Sequence, residues 1–362
     1  MRSGTRLTRG RAEVAELETT VGWTGEHYEG PLLQVEDLAV EFRTPYGIVN
    51  AVNGISYTLD AKETLAILGE SGSGKSVSAQ AIMGLIDTPP GFITSGTIRY
   101  RGVDLLKMPE SERRKSRGDK IAMIFQDALT ALNPVYSVGW QIGEMFRVHR
   151  GMSKDDAEKK TVELMDRVKI PSAKERLGDY PHQFSGGMRQ RVMIAMALAL
   201  DPDILIADEP TTALDVTVQA QIMDLLHELQ SQTGMGLILI THDLGVVADV
   251  SDRLAVMYAG KIVETGSVYD IYGGPSHPYT EGLMNSIPRL DQKGTRLNPI
   301  TGAPPNLMHI PSGCSFHPRC PYVRENCLTD VPELYEVNDK RRSACHYWRE
   351  VYASTREALR GS

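Results

Sequence analysis

The chain has 362 residues, 41% of them hydrophobic, and a formal net charge of −7. This length allows one large domain with an appendage or two domains, and the acidic balance argues against a broad basic face for nucleic acid. No apolar run approaches the roughly 18 residues of a membrane span, and the basic start lacks the apolar core of a secretory signal.

The first predicted elements form an antiparallel β unit. Leu33–Phe42 alternates in part, Thr44–Gly47 reads as a turn, and Val49–Leu59 continues with β-forming residues. Tyr46 lies in the turn. From the residues alone it is either a packed turn residue or an exposed aromatic that stacks on a base, and Phe42 is the rival for stacking.

A glycine-rich loop follows. Gly69–Ser76, GESGSGKS, fits the P-loop pattern G-x-x-x-x-G-K-[ST], between a predicted buried strand (Thr64–Leu68) and a predicted helix (Val77–Ile86). In that context backbone N–H groups and the helix start bind phosphate oxygens, Lys75 reaches the β- and γ-phosphates, and the Ser76 hydroxyl ligates Mg²⁺. The predicted phosphate-contacting residues are Gly69, Glu70, Ser71, Gly72, Ser73, Gly74, Lys75, Ser76 and Val77.

A strand, a helix and a strand come next: Thr97–Tyr100, a polar helix around Pro109–Arg117, and Lys120–Phe125. Gln126 directly follows the last strand. At the carboxyl end of a parallel strand a side chain faces the ligand crevice, where Gln126 would ligate Mg²⁺ or hold a water. A lone glutamine there is otherwise an ordinary loop residue.

From Asp127 to His182 the pattern becomes helical, with amphipathic candidates at Val138–His149 and Lys154–Val168. This predicts a helical insertion in the α/β core. Such helices usually pack on their own domain, although an insertion between two nucleotide-site motifs is also well placed to move a partner.

A second anion-binding device is predicted at Phe184–Arg191, FSGGMRQR, which precedes a helix running to about Leu200. Free N–H groups at the helix start, a hydroxyl and the helix dipole together favour an anion. Taken alone the signal is weak, because Ser-Gly-Gly is common in loops.

Asp203–Asp208, DILIAD, predicts an apolar strand that ends in carboxylates. Asp208 would hold the Mg²⁺ shell, and Glu209 would polarise a water aimed at the γ-phosphate. A strand ending in Asp-Glu is also an ordinary solvated edge. Thr212–Asp215, TALD, then precedes a long predicted helix, Val218–Gln232.

Leu237–Ile240 predicts another buried strand, and His242 follows it. A histidine in such a place is either a structural hydrogen-bonding group or a catalytic one. Leu254–Tyr258 and Lys261–Thr265 are predicted to form a hairpin around Gly260.

The order of these motifs resembles an ATP-binding cassette (ABC) transporter ATPase over about Leu32–Gly266. The motifs are a Walker A loop (GESGSGKS), a Q-loop glutamine (Gln126), a signature (FSGGM where LSGGQ is usual), Walker B with its glutamate (ILIADE), a D-loop (TALD) and an H-loop histidine (His242). The departures are Phe184 for Leu and Met188 for Gln, and neither removes a phosphate contact. The resemblance implies that Tyr46 is the aromatic that stacks on adenine.

The resemblance also implies a mechanism. Two such domains pair head to tail around two ATP molecules; ATP binding closes the pair and hydrolysis opens it. On one side of each ATP lie the implied catalytic residues, Lys75, Gln126, Glu209 and His242, with Mg²⁺ at Ser76, Gln126 and Asp208. The facing subunit supplies the signature residues Ser185, Gly186 and Gly187, and Asp215 is the implied D-loop residue. The helical insertion passes the movement to membrane subunits.

The C-terminal motifs narrow the resemblance. His277–Thr280 (HPYT), Gly302–Asn306 (GAPPN) and Pro311–Pro321 (PSGCSFHPRCP) resemble the ATPases of dipeptide, oligopeptide and nickel importers. This implies a peripheral protein at the cytoplasmic face of the membrane that powers peptide import. The implied partners are a second ATPase subunit, usually a different chain, two transmembrane permease subunits and an extracytoplasmic peptide-binding protein, with no nucleic acid.

Other functions are less consistent with the sequence. Nickel or sugar remains an alternative cargo. A soluble ABC ATPase acting on DNA would need a long coiled coil, but only about 110 residues without heptads separate Lys75 from Ser185. Translation-factor types carry two ATPase domains, and a P-loop kinase would lack the signature and the H-loop.

The four cysteines, all beyond residue 313, have the spacing C-x5-C-x6-C-x17-C: Cys314, Cys320, Cys327 and Cys345. Four thiolates hold a [4Fe–4S] cluster or a Zn²⁺ ion, and reduced thiols are expected in the cytosol. Resemblance to dipeptide-importer ATPases implies iron–sulfur, with zinc or no metal as alternatives.

The predicted division of the chain follows from these motifs. Residues 1–30 are interpreted as a flexible tail, and residues 31–270 as the nucleotide-binding domain with a helical subdomain at about 127–190. Residues 271–362 are interpreted as a C-terminal extension that carries a four-cysteine metal site. The predicted fold class is α/β, a P-loop NTPase with an antiparallel β subdomain.

Overall fold

Two β-sheets organise the residues that this computed structural model describes, which are 28–212, 214–286 and 300–360. Most of the predicted 1–30 tail and Ala213 of the TALD motif lie outside them. The strands are β1 Leu33–Thr44, β2 Gly47–Leu59, β3 Thr64–Leu68, β4 Gly91–Tyr100, β5 Val103–Asp104, β6 Ile121–Ile124, β7 Ile204–Asp208, β8 Gly236–Thr241, β9 Arg253–Tyr258, β10 Lys261–Ser267, β11 Tyr335–Asn338 and β12 Arg341–Ser343.

Helices of very different lengths surround the sheets. They are α1 Lys75–Met83, α2 Glu110–Ser116, α3 Ala128–Ala131, α4 Val138–Arg150, α5 Lys154–Arg167, α6 Gly186–Leu198, α7 Val216–Thr233, α8 Leu244–Val250, α9 Val268–Tyr272, α10 Pro278–Asn285, α11 Asn326–Thr329 and α12 Trp348–Arg360. Short 3₁₀ turns occur at Glu175–Gly178, Pro181–Gln183 and His317–Arg319. Within the described ranges, no helix combines the length and apolar character needed to cross a membrane.

The smaller sheet is antiparallel, with strand order β2-β1-β4-β5, and confirms the predicted antiparallel unit. Strand β4 begins at Gly91, six residues earlier than the sequence predicts, because Gly91 pairs with Phe42 of β1. Its first half is rich in polar residues and glycine, which conceals the strand in the sequence. Helix α1 ends earlier than predicted, because Gly84 adopts a left-handed conformation and caps it.

The larger sheet has the order β11-β12-β10-β9-β3-β8-β7-β6, and its central strands are parallel. Every residue of β3, β6, β7 and β8 is buried, as expected of parallel strands covered on both faces. Because Leu68 pairs with Thr241 and Asp208 pairs with Ile240, these strands end at the same edge. The loops that follow them are therefore neighbours, and this edge carries the candidate site.

The predicted helical insertion is present and packs on its own domain. Ser137 and Ser153 cap α4 and α5 by accepting hydrogen bonds from the N–H groups of Trp140 and Asp156. The apolar faces of these helices join Leu205 and Leu225 in one buried cluster, through Ile142, Phe146, Leu164 and Met165.

The C-terminal extension continues the larger sheet, since β12 pairs with β10 at Glu264 and Ser343. Glu264 and Arg341 form a buried ion pair, with 2.6 Å between Nη2 and Oε1. The N–H groups of Ser276 and His277 also donate to the Glu264 carboxylate, at 2.8 and 3.1 Å. Such a pair is tolerated in the interior because its hydrogen bonds are satisfied. The boundary near residue 270, between the nucleotide-binding domain and the C-terminal extension, remains a proposal.

Burial of His277 is expected to make the folded protein less stable at low pH. It is 1% exposed, its Nδ1 accepts from the N–H of Tyr279 at the start of α10, and burial lowers its pKa to about 3. Since the unfolded histidine titrates near about 6.5, the unfolded state binds the extra proton between these values, and stability falls as pH falls.

We therefore expect the free energy of unfolding to drop by up to about 1.4 kcal/mol per pH unit below about pH 6 from this group. The measurement is urea denaturation at several pH values for wild type and His277→Asn, which keeps a capping acceptor. Equal pH slopes for the two proteins would contradict the assignment.

Candidate functional site

The predicted P-loop lies between β3 and α1, and neighbouring backbone packs closely against it. Gly69 and Gly74 have φ angles of +156° and +102°. A Cβ at Gly69 would lie 2.3 Å from the Met257 carbonyl oxygen, and one at Gly74 would lie 2.2 Å from that of Ala51. Only glycine fits at these positions, so the loop curves with its backbone exposed toward a ligand.

Two features of the loop suit an anion. No side chain caps α1, whose N-cap residue is Gly74, so its first N–H groups are left for a ligand. The Ser73 hydroxyl is buried and has no hydrogen-bond partner among the described residues. A phosphate would satisfy these donors, whereas a purely structural turn would leave them unpaired.

Lys75 is 5% exposed and its ammonium is held over the loop. Nζ donates to the carbonyl oxygens of Gly69 at 2.8 Å and of Glu70 at 3.0 Å. Burial lowers the pKa of Lys75, and the negative charges of Glu209, Asp208 and Glu70 oppose that shift. The lysine is therefore placed where an incoming phosphate would replace the carbonyl contacts.

Ser76 and Asp208 meet although 132 residues separate them. The Ser76 hydroxyl donates to Oδ1 of Asp208 at 2.9 Å. Burial raises the pKa of Asp208, and the Ser76 hydrogen bond lowers it. A hydroxyl and a carboxylate side by side at the phosphate loop are the oxygen ligands that Mg²⁺ prefers.

Glu209 is the centre of the next group of contacts. Its Oε2 accepts from Gln126 Nε2 at 3.0 Å and from the Thr212 hydroxyl at 2.9 Å. Its Oε1 lies 3.5 Å from Nδ1 of His242. The structure thus brings Gln126, Glu209 and His242 together at the sheet edge beside Lys75 and Asp208.

The backbone of Glu209 is unusual, because its φ of +46° lies in the left-handed region. Its N–H donates to the carbonyl of Ile240 at 2.8 Å, which fixes the chain at this turn. Strained backbone at a carboxylate that ends a buried strand points to a functional position.

The two candidate stacking residues differ in exposure. Tyr46 is 89% exposed at the tip of the β1–β2 turn, which is closed by a hydrogen bond from the Thr44 hydroxyl to the Gly47 carbonyl. Phe42 packs against a buried apolar cluster. Tyr46 is therefore the aromatic that is free to contact a base, and its role stays a prediction.

The predicted signature forms the start of α6. Ser185 caps the helix, and its hydroxyl accepts from the N–H of Met188 at 3.3 Å. Phe184 is buried, and Met188 packs against the same apolar cluster. Both departures from the usual motif therefore anchor the loop by apolar contact, while Ser185 and Gly186 remain exposed.

Asp215 caps α7 by accepting from the N–H of Val218 at 3.0 Å. A Cβ at Gly187 would lie 2.6 Å from a methyl group of Val218. The starts of α6 and α7 are thus in close contact, so the signature and the D-loop are positioned together.

Sequence reasoning missed Arg319, which pairs with Glu70 of the P-loop from 249 residues away. The motif PSGCSFHPRCP contains this arginine, but nothing in the motif indicates a contact with the P-loop. The signal available in the sequence was an arginine between apolar and cysteine residues.

The prediction of an iron–sulfur cluster is wrong. Within residues 28–212, 214–286 and 300–360, no group of three or more Cys, His, Asp or Glu side chains is arranged to hold a metal ion. Cys314, Cys320, Cys327 and Cys345 line a cavity of only about 10 Å³, roughly the room of one water.

The surroundings of these thiols disfavour their charged form. Burial raises the pKa of Cys314, and it raises the pKa of Cys320 and of Cys345 to about 12. Cys314 and Cys320 also pack against the apolar cluster around Tyr258 and Phe316. Protonated thiols in apolar surroundings act as small hydrophobic side chains. The described residues likewise present no group of three or more side chains arranged to hold Zn²⁺.

Two protein families match the chain. The family described as "ABC transporter" matches residues 52–212, and the family described as "Oligopeptide/dipeptide transporter, C-terminal region" matches residues 263–327. The first match contains the P-loop and the Walker B strand, and the second contains most of β10 and the first three cysteines.

Relatives and solved structures give the same result. The oligopeptide transport ATP-binding protein OppD of Salmonella typhimurium is 52% identical over 314 residues, which cover 87% of this chain and 93% of the relative. OppD of Bacillus subtilis is 52% identical over 309 residues, covering 85% and 86%. A dimeric cassette, MJ0796, in a post-hydrolysis state with ADP and phosphate, matches with a TM-score of 0.59 and 27% identity over 65% of this chain and 98% of that one. The chain belongs to the ATP-binding subunits of the oligopeptide/dipeptide branch of ABC transporters, and it is an ABC ATPase.

Proposed function

We propose that this subunit binds and hydrolyses ATP to power the import of peptides. The observation that carries the proposal is the meeting of Lys75, Asp208, Glu209, Gln126 and His242 at one sheet edge. The matching C-terminal region and the named relatives support a peptide cargo.

The phosphates of ATP bind the loop N–H groups and Lys75. Ser76, Asp208 and Gln126 would hold Mg²⁺, which neutralises phosphate charge when bound. Glu209 accepts a proton from the attacking water, and Gln126 and Thr212 fix the carboxylate for that task. His242 lies beside Oε1 of Glu209, and its side chain is 65% exposed, so it is accessible to a bound nucleotide.

A second ATPase subunit completes the site. Exposed Ser185 and Gly186, with the N–H groups of α6, would bind the ATP held by the facing subunit, and Asp215 holds α7 beside them. Exposed Tyr46 stacks on the adenine. In the peptide branch we propose that the second subunit is a different chain.

The helical insertion offers a surface for the permease subunits. Tyr136 and Trp140 are exposed and stacked, with ring centroids 4.2 Å apart, and Val135 beside them is 71% exposed. Such an apolar patch suits contact with another protein. Two permease subunits and an extracytoplasmic peptide-binding protein would complete the importer, with this subunit peripheral at the cytoplasmic face.

The test is ATP hydrolysis by the reconstituted complex. We expect peptide-loaded binding protein to raise the rate several-fold over the unloaded protein, whereas nickel or a sugar does not. Stimulation by nickel or sugar alone would overturn the peptide assignment and leave the ATPase assignment intact. Hydrolysis without any response to permeases or cargo would favour a non-transport ATPase.

A further inference from the structure

The C-terminal extension contacts the P-loop directly through Arg319. Its Nη1 lies 2.6 Å from Oε2 of Glu70, and its Nη2 lies 3.0 Å from Oε1. The arginine side chain is 5% exposed and that of Glu70 is 27% exposed. This is a two-pronged, charge-assisted pairing, the geometry in which arginine fixes a carboxylate most firmly.

Arg319 is itself held in place. Its Nε donates to the carbonyl of Thr301 at 3.1 Å, and its guanidinium lies 5.8 Å from the ring centroid of Tyr258 and 6.0 Å from that of Phe316. Tyr279 packs on both rings, and its hydroxyl oxygen accepts from the backbone N–H of Glu70 at 2.8 Å. The extension therefore fixes both the backbone and the side chain of Glu70.

Glu70 matters because of Lys75. The Glu70 carbonyl accepts from Lys75 Nζ at 3.0 Å, and the Glu70 charge is close enough to favour the protonated lysine. A Glu70 carboxylate released from Arg319 would be an anion beside the phosphate site. It would repel the phosphates of ATP and compete with them for the Lys75 ammonium.

We propose that Arg319 is a positioning residue for the ATP site: it holds the Glu70 carboxylate against the extension and neutralises its charge, which leaves Lys75 to the phosphates. The inference rests on the proposed ATP site. It makes ATP affinity depend on the Arg319–Glu70 contact, through which the extension reaches the nucleotide site.

The test compares ATP affinity of the full-length chain with and without the pair. Arg319→Gln should weaken ATP binding about tenfold and raise KM in proportion, with kcat unchanged, because Glu209 is untouched. Adding Glu70→Gln to that variant should restore binding to within about threefold of wild type, because the unpaired carboxylate is gone. Arg319→Lys keeps the charge but loses the two-pronged geometry, so its ATP affinity should lie between those of wild type and Arg319→Gln. If Arg319→Gln fails to fold, Arg319→Lys replaces it in the comparison.

A matched control separates positioning from simple stability. Arg341→Gln removes the other buried arginine pair of the extension, so it should lower Tm at least as much as Arg319→Gln but leave ATP affinity unchanged. Unchanged affinity in Arg319→Gln, or a double variant that binds no better than Arg319→Gln alone, would overturn the inference. Tight binding by Lys75→Ala would instead overturn the proposed ATP site, so the two failures are distinguishable.

Discussion

Glu209→Gln is expected to reduce ATP turnover by about 10²–10⁴-fold while ATP binding is retained. The amide is isosteric and still accepts hydrogen bonds from Gln126 and Thr212, so the site keeps its shape. It does not accept the proton of the attacking water. The measurement is phosphate release under saturating ATP, together with size-exclusion chromatography to follow ATP-driven dimer closure.

The control for this variant is Glu228→Gln, which removes an exposed carboxylate paired with Lys169. It should hydrolyse ATP at the wild-type rate, since exposed ion pairs contribute little. A Glu209→Gln protein with near wild-type turnover would refute the general-base role. A variant that neither turns over nor binds ATP would show damage to the site as a whole.

Lys75→Ala is expected to weaken ATP binding by about ten- to a hundredfold, because a charge-assisted hydrogen bond to phosphate contributes about 1.5–3 kcal/mol. The ammonium is buried and lies over the loop, so water does not readily replace it. Binding is followed by calorimetric titration with ATP and Mg²⁺.

The matched control is Lys159→Ala on the exposed face of α5, whose side chain is 73% exposed. It should bind ATP as the wild type does. If Lys75→Ala kept wild-type affinity, the phosphates would have to be held elsewhere, and the assignment of the loop would be abandoned.

Much of the fold and the site follows from local patterns. The apolar runs at β3, β7 and β8 predict buried parallel strands, and a parallel sheet places the residues after those strands at one edge. This geometry predicts that the residues after β7 and β8 lie near the P-loop, and the resemblance to ABC transporter ATPases implies that Lys75, Asp208, Glu209 and His242 share one site. The P-loop is also predictable from a local pattern, because glycine occupies the positions where neighbouring backbone packs against the loop.

Contacts between distant segments could not be predicted in this way. The pairing of Arg319 with Glu70 depends on how the extension docks, and no periodicity records it. The sequence also gives no sign of the left-handed backbone of Glu209, because glutamate rarely adopts that conformation. The iron–sulfur prediction failed for a related reason. The spacing of the cysteines gives the number of thiols but does not reveal that apolar side chains such as Phe316 pack against them.

The pairing of β12 with β10 also covers one edge of β10. Without the extension, the outer side of β10 would be an open strand edge with unpaired N–H and C=O groups, a template for pairing with other chains. Glu264 would also lose all three groups that donate to its carboxylate, which are Arg341 and the N–H groups of Ser276 and His277. We therefore expect a chain cut near residue 270 to keep its nucleotide motifs and to aggregate more readily than the full chain, because the edge of β10 would then be open to pairing.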